Sequence, residues 1–173
     1  MQEIEFSRHI VPLRDRMFRY AHSLLLSSDE AEDVVHDLLE RLWRDREGLD
    51  ACRNLSAFVL TAVRNRCYDR LRQLRTVRAH AATAGSTAER ATTGAIDGWE
   101  ARDLVRRAIA GLPERQREVL HLKDIEGYPT REIAALLACD EAHVRMILSR
   151  ARQGLRGALI KMMDDEHTTR HDR

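Results

Sequence analysis

Proline and glycine are scarce in this chain, 3 and 8 of 173 residues, while 33% of it is charged. So few helix breakers among many Arg and Glu residues argue against a turn-rich β architecture and for long helices. No apolar run is long enough to span a bilayer, and the N-terminus carries no signal-peptide pattern. A cytoplasmic protein without membrane insertion is therefore expected. The 3 cysteines, Cys52, Cys67 and Cys139, are odd in number and far apart, as befits free thiols in a reducing compartment. The 8 histidines are scattered, with no His-x-x-x-His or Cys-x-x-Cys pair, so no metal ligands are expected. A Gly-rich phosphate loop and a nucleophile elbow are also missing, which leaves neither a cofactor nor catalytic residues to expect.

Net charge is missing too, but only in total. Lys and Arg number 29 against 28 Asp and Glu. Along the chain the signs separate. Residues 29–40 hold six acids (Asp29, Glu30, Glu32, Asp33, Asp37, Glu40) and no Lys or Arg. Residues 61–78 hold six arginines (Arg64, Arg66, Arg70, Arg72, Arg75, Arg78) against Asp69 alone. Two faces of opposite sign imply two different partners.

Apolar residues at Phe6, Ile10, Leu13, Met17, Tyr20, Ala21 and Leu24 follow a helical period, which Pro12 should kink or divide. Ser28 is the expected cap of a second helix whose Ala31, Val34, Val35, Leu38 and Leu42 share a face. A third helix is expected to turn Phe58, Val59, Val63, Cys67, Leu71 and Leu74 inward and its arginines, Asn65 and Tyr68 outward. Residues 79–97 carry seven Ala, four Thr and two Gly, with Ile96 the sole large apolar residue, which reads as a flexible linker. About four helices follow from Trp99, the last from about Asp140. The expected fold is all-α: a three-helix bundle over 1–78, the linker over 79–97, and a helix-turn-helix domain over 98–173.

The stretch "REIAALLACDEAHVRMILSRAR" (131–152) is the hairpin in question. Ile133, Ala134 and Leu137 can pack on Val144, Leu148 and Ala151, leaving Ala142, Arg145, Ser149, Arg152 and Arg156 as a stripe. Glu141, His143, Arg145 and Met146 stand where the first turns of a helix in a major groove reach base edges. Short apolar helix pairs are common, so the hairpin alone fits a bundle equally well. Arginines on a surface are usually solvated, yet six with hardly an acid between them suit phosphates, and Tyr68 suits stacking on an unpaired base. Acids at a helix start are favoured by the dipole, but that does not account for Asp37 and Glu40 two turns later.

Three segments together resemble a known family. "DEAEDVVHDLLERLW" (29–43) looks like the polymerase-binding helix of bacterial sigma factors. "NLSAFVLTAVRNRCYDRLRQLR" (54–75) is similar to their minus-10 reading and melting segment. "LPERQREVLHLKDIEGYPTREIAALLACDEAHVRMILSRARQGLR" (112–156) looks like their minus-35 reading domain. Order, spacing and shortness match the extracytoplasmic-function (ECF) group. The resemblance implies that Asp29, Glu32, Asp33, Asp37, Glu40 and Arg41, supported by Trp43, dock on core RNA polymerase. It implies that Asn54, Ser56, Arg64, Asn65, Tyr68, Asp69 and Arg72 hold the melted minus-10 strand, with a base flipped into a pocket near residues 48–56. It further implies that Thr130, Glu141, His143, Arg145, Met146, Ser149, Arg150 and Arg152 face minus-35 promoter DNA, and that an anti-sigma factor holds the chain inactive.

Three departures stand out. Pro129 and Thr130 alter the cap of the first hairpin helix. Ala138 replaces a frequent glycine, so the turn must manage without an easy positive φ. Met146 and Ile147 stand where members often show Ser and Arg, which implies one arginine contact fewer. The competing readings are a helix-turn-helix regulator without polymerase docking, which would bind duplex tightly by itself, and a sigma-like adaptor that recruits polymerase without melting. A metal-dependent nuclease is more distant. If Arg145 reads a base edge, Arg145→Ala weakens promoter binding by about 1–3 kcal/mol at one base position; an equal loss across sequences marks a phosphate contact instead.

Overall fold

The computed structural model describes residues 3–83 and 100–171. Among these the chain is helical, without strands, and it divides into two compact units, Met1–Gly94 and Ala95–Arg173. Beyond Thr83, the expected linker and Trp99 lie outside the described residues.

In the first unit α1 (Glu3–His9) is separated from α2 (Arg14–Leu25) by a 3-10 turn, Val11–Leu13, that holds Pro12. Proline supplies no amide hydrogen and fixes its own φ, so the helix divides here. α2 ends at Leu26 in the left-handed region, φ 56°. Next comes α3 (Ser28–Arg44). Its cap is Ser27 rather than Ser28: Ser27 is extended, and its Oγ accepts from the Glu30 amide at 3.4 Å. Another 3-10 turn, Arg46–Ala51, leads to α4 (Leu55–Thr83), which continues five residues past the expected start of the linker.

α2 packs on α3 and α4, and α3 packs on α4. The core comprises Met17, Tyr20, Ala21 and Leu24 from α2, Ala31, Val34, Val35, Leu38 and Leu42 from α3, and Val59, Leu60, Val63 and Cys67 from α4, with Phe6 and Ile10 closing one end. Each large aliphatic chain so buried contributes roughly 1.5–3 kcal/mol. Phe58 was expected inside but is 44% exposed. Leu60 takes part in the core instead, because helical steps of about 100° put Phe58 outside the arc that Val59, Leu60 and Val63 span.

The second unit holds α5 (Glu100–Ala110), α6 (Glu114–Leu120) with a π-helical turn His121–Ile125, α7 (Thr130–Leu136) and α8 (Glu141–His171). Pro113 precedes α6 as expected, and Gly127, at φ +76°, turns the chain toward α7. α5, α6 and α7 all pack on α8 around Leu104, Val119, Leu122, Ile133, Leu137, Val144 and Leu148. The buried Arg117 donates to the carbonyls of Ala110 (3.2 Å) and Leu112 (2.9 Å), satisfying acceptors where α5 ends.

Between α7 and α8 the chain turns at Ala138, which takes φ +51°. The left-handed conformation expected to be avoided is therefore adopted without glycine, held by the Cys139 amide donating to Ala134 O (3.0 Å) and by Asp140 capping α8 through the His143 amide (2.6 Å). A Cβ is disfavoured there. Ala138→Gly is expected to stabilise the second unit by about 0.5–1 kcal/mol after allowing for the freer unfolded chain. Urea unfolding monitored in this unit checks it, and destabilisation would mean that the residue is not left-handed.

Candidate nucleic-acid and partner surfaces

α3 uses its apolar arc against α2 and α4, so its acids occupy the remaining circumference and differ in situation. Asp29, Glu32, Asp33, Asp37 and Glu40 are exposed. Glu40 is paired with Arg44 at 2.6 Å one turn on, and Arg41 lies 3.9 Å from Asp45. Asp37 faces α4 instead, where Arg66 donates to it at 3.0 Å. Glu30 receives a two-pronged contact from Arg70, with Nη2 to Oε1 at 2.9 Å and Nε to Oε2. The hydrogen bond to Glu30 holds the Arg70 guanidinium charged and raises its pKa above the ordinary arginine value; burial works against this, and the fields of Glu30, Asp33 and Asp37 add to the rise. Two of the six arginines thus face acids of α3, and a third, Arg72, pairs with Asp69 of its own helix. Sequence alone did not reveal these partners, 29 and 40 residues apart.

Trp43, 38% exposed, is held from two sides. Phe6 meets it edge-on at 5.1 Å, and Arg46 lies over its ring at 4.7 Å while donating to its carbonyl at 3.0 Å. The ring therefore ties α1 and the 3-10 turn after α3 to the end of α3.

On α4 the Arg64 guanidinium covers one face of Tyr68 at 4.7 Å, a cation–π contact that keeps the ring in place. Asn65 is exposed, Ser56 is half-buried, and Arg72 pairs with Asp69. Asn54 serves the fold itself, because its Oδ1 accepts from the Ala57 amide at 3.0 Å and so caps α4. The exposed Phe58 joins this surface, an aromatic group that the inward reading had hidden.

In the second unit Thr130 opens α7 after Pro129, and no side chain caps that helix. On α8, His143, Arg145, Met146, Ser149, Arg150 and Arg152 are exposed, and Glu141 is half-buried. Steps of about 100° make Ala142, Met146, Ser149 and Gln153 the outermost ridge, flanked by Arg145, Arg152 and Arg156 on one side and His143 and Arg150 on the other. A groove of about 400 Å³ runs along the first flank between Arg145, Ser149, Arg152 and Arg156. Arg145 is paired with Glu141 at 2.9 Å. Arg152 meets Asp124 in two bonds, 3.1 and 2.6 Å; this hydrogen bonding, with the carboxylate's field, raises the Arg152 pKa. Ile147 is only 7% exposed. Its side chain lies on the inner side of α8 with Val144, Leu148 and Ala151.

Among the described residues no three metal-ligating side chains cluster, and no helix is long and apolar enough to cross a membrane. Because Asn54 caps α4, Asn54→Ala is expected to destabilise the first unit by about 1 kcal/mol, whereas Asn54→Asp keeps the cap and its stability. Thermal melts separate the two, and any DNA-binding change in Asn54→Asp then reports on contact alone.

Family comparisons agree with this layout. Residues 10–78 match the family model for sigma-70 region 2, and 102–155 match that for sigma-70 region 4. The ECF RNA polymerase sigma factor SigL of Mycobacterium tuberculosis is 32% identical over 148 residues, 84% of this chain and 84% of its own length. EcfG of Rhodopseudomonas palustris, likewise an ECF sigma factor, is 27% identical over 140 residues, covering 81% and 77%. The sigma factor RpoE of Bartonella quintana, solved with the anti-sigma factor NepR, superposes with a TM-score of 0.73 at 27% identity, over 90% of this chain and 96% of that one. CnrH, solved with the cytosolic domain of CnrY, shares the fold, with a TM-score of 0.65 over 92% and 90% at 21% identity. With both sigma-70 regions present in order and an ECF relative matching across most of its length, the chain belongs to the ECF group of RNA polymerase sigma factors.

Proposed function

We propose that this ECF sigma factor docks on core RNA polymerase through the outer acids of α3, reads the minus-10 element with α4 and the minus-35 element with α8. The observation that carries this is the separation of charge by element: exposed carboxylates on α3, exposed cations on α4 and along both flanks of α8. Asp29, Glu32 and Asp33 are the acids best placed for the polymerase, being exposed, whereas Asp37 is shared with Arg66. Glu40 and Arg41 extend the stripe toward Trp43, whose role is to hold the end of α3 in place.

On α4, Asn65, Arg64, Arg72 and Phe58 offer hydrogen bonds, charge and an aromatic face to a melted strand, while Asn54, Ser56, Tyr68 and Asp69 shape that surface. Unstacking a base costs a few kcal/mol, which stacking and pocket contacts must return. On α8 the ridge of Ala142, Met146 and Ser149 suits the groove floor, where Glu141, His143 and Arg145 reach base edges. Arg150 and Arg152 suit the phosphates alongside, and Thr130 is positioned for the backbone at the start of α7.

The chain supplies no catalytic group in this reading; phosphodiester chemistry stays with the polymerase. A cytoplasmic location and control by an anti-sigma factor follow from the same reading. The anti-sigma factor NepR bound to the related RpoE supports such control. A regulator without polymerase docking is disfavoured by the match to sigma-70 region 2 over 10–78.

Reversal of the outer acids, Asp29→Lys with Asp33→Lys, is expected to weaken co-elution with host core polymerase by roughly tenfold or more, since like charges then face each other. The fold should persist because both positions are exposed. Unchanged co-elution of a folded variant would return these acids to the solvent.

A further inference from the structure

We propose that the flank of α4 facing α3 carries a latent phosphate-binding site, Arg66 and Arg70, which Asp37 and Glu30 of α3 keep masked until a partner's cations engage α3. The proposal rests on the docking reading of α3 given above, and it concerns two arginines that no contact to DNA yet explains.

Arg66 and Arg70 are one helical turn apart, so both guanidinium groups point along the same flank, about 6 Å apart along the axis. Each meets a carboxylate of α3: Arg66 with Asp37 at 3.0 Å, Arg70 with both oxygens of Glu30. Phosphate uses the same forked donors, so a carboxylate and a phosphate compete for one guanidinium. Exposure decides whether exchange is feasible. Side-chain exposure is 50% for Arg66 and 56% for Asp37, and 39% for Arg70 against 21% for Glu30. Neither pair is sealed, and exposed pairs of this kind hold little of a fold's stability. Asp33 and Asp37 add their fields at Arg70, beside the two bonds that Glu30 makes to it.

This arrangement couples the two surfaces of the unit. While α3 is unoccupied, its carboxylates satisfy the arginines and repel phosphates nearby. Once cations of the polymerase neutralise α3, the arginines become available on an element that already faces DNA. Affinity for DNA would then rise after docking instead of before it.

The test uses the free, full chain and a random-sequence duplex, with anisotropy measured as salt is raised from about 50 to 200 mM. Each phosphate contact steepens the log–log salt slope by about 0.9, so Glu30→Gln with Asp37→Asn is expected to steepen it by nearly two. Over that salt range the variant should therefore lose about tenfold more affinity than the control. The control, Asp29→Asn with Glu32→Gln, removes equal charge from acids that hold no arginine among the described residues. Equal slopes for the two double variants would overturn the proposal. The converse pair, Arg66→Gln with Arg70→Gln, should leave the free protein's slope unchanged. A slope flattened by about two would show these arginines already on phosphate, and the mask would be disproved. Because no polymerase is present in either measurement, loss of the docking reading would show in co-elution and not here.

Discussion

Burying the apolar arcs of α2, α3 and α4 against one another forces the polar flanks of α3 and α4 to meet along a shared edge. On α3 that edge carries Glu30 and Asp37; on α4 it carries Arg66 and Arg70. The pairing follows from the burial, since once Val34, Leu38, Val59 and Val63 are inside, neighbouring side chains have one place to go. The outer circumferences stay exposed: carboxylates on α3, and Asn65, Arg72 and Phe58 on α4. Along the shared edge the opposite charges neutralise each other in partly exposed pairs.

The second unit solves a different problem. A long helix needs a support that fixes its angle, and here α5, α6 and α7 all rest on α8. Val144, Ile147, Leu148 and Ala151 form the inner side, and whatever is one or two steps removed becomes the outer one. The angle between α7 and α8 depends on Ala138 adopting a conformation that alanine disfavours. It persists because Leu137 is buried on one side of the turn and Asp140 caps α8 on the other. Arg152, clasped by Asp124, shows the same device as α4: an exposed arginine is preset by a carboxylate of its own unit.

Much of this was legible from residue order. The period of Ala31, Val34, Val35, Leu38 and Leu42 showed both α3 and the stripe of acids beside its core face, because a helix repeats every 3.6 residues. Pro12, Gly127 and Pro113 marked helix ends for reasons internal to those residues. The hairpin at 131–152 was readable for the same cause. Less legible were matters of one residue: Ser27 rather than Ser28 caps α3, since the cap is the residue that is extended. Phe58 read as core because an aromatic beside Val59 usually is, and only the arc chosen by packing turned it outward.

What residue order determined by itself is local and periodic: helix content, most helix ends, the apolar faces, and the division of charge between 29–40 and 61–78. Tertiary structure decided which charges the chain pairs across elements. Arg66 and Arg70 look like Arg64 and Arg72 in the sequence, yet the first two reach Asp37 and Glu30 of α3. The other two meet Tyr68 and Asp69 of their own helix. Asp124 and Arg152, 28 positions apart, become a two-bond pair only when the π-helical turn is laid beside α8. Long-range pairing depends on how helices cross, and crossing is set by the fit of whole faces, a property that no single stretch of sequence contains.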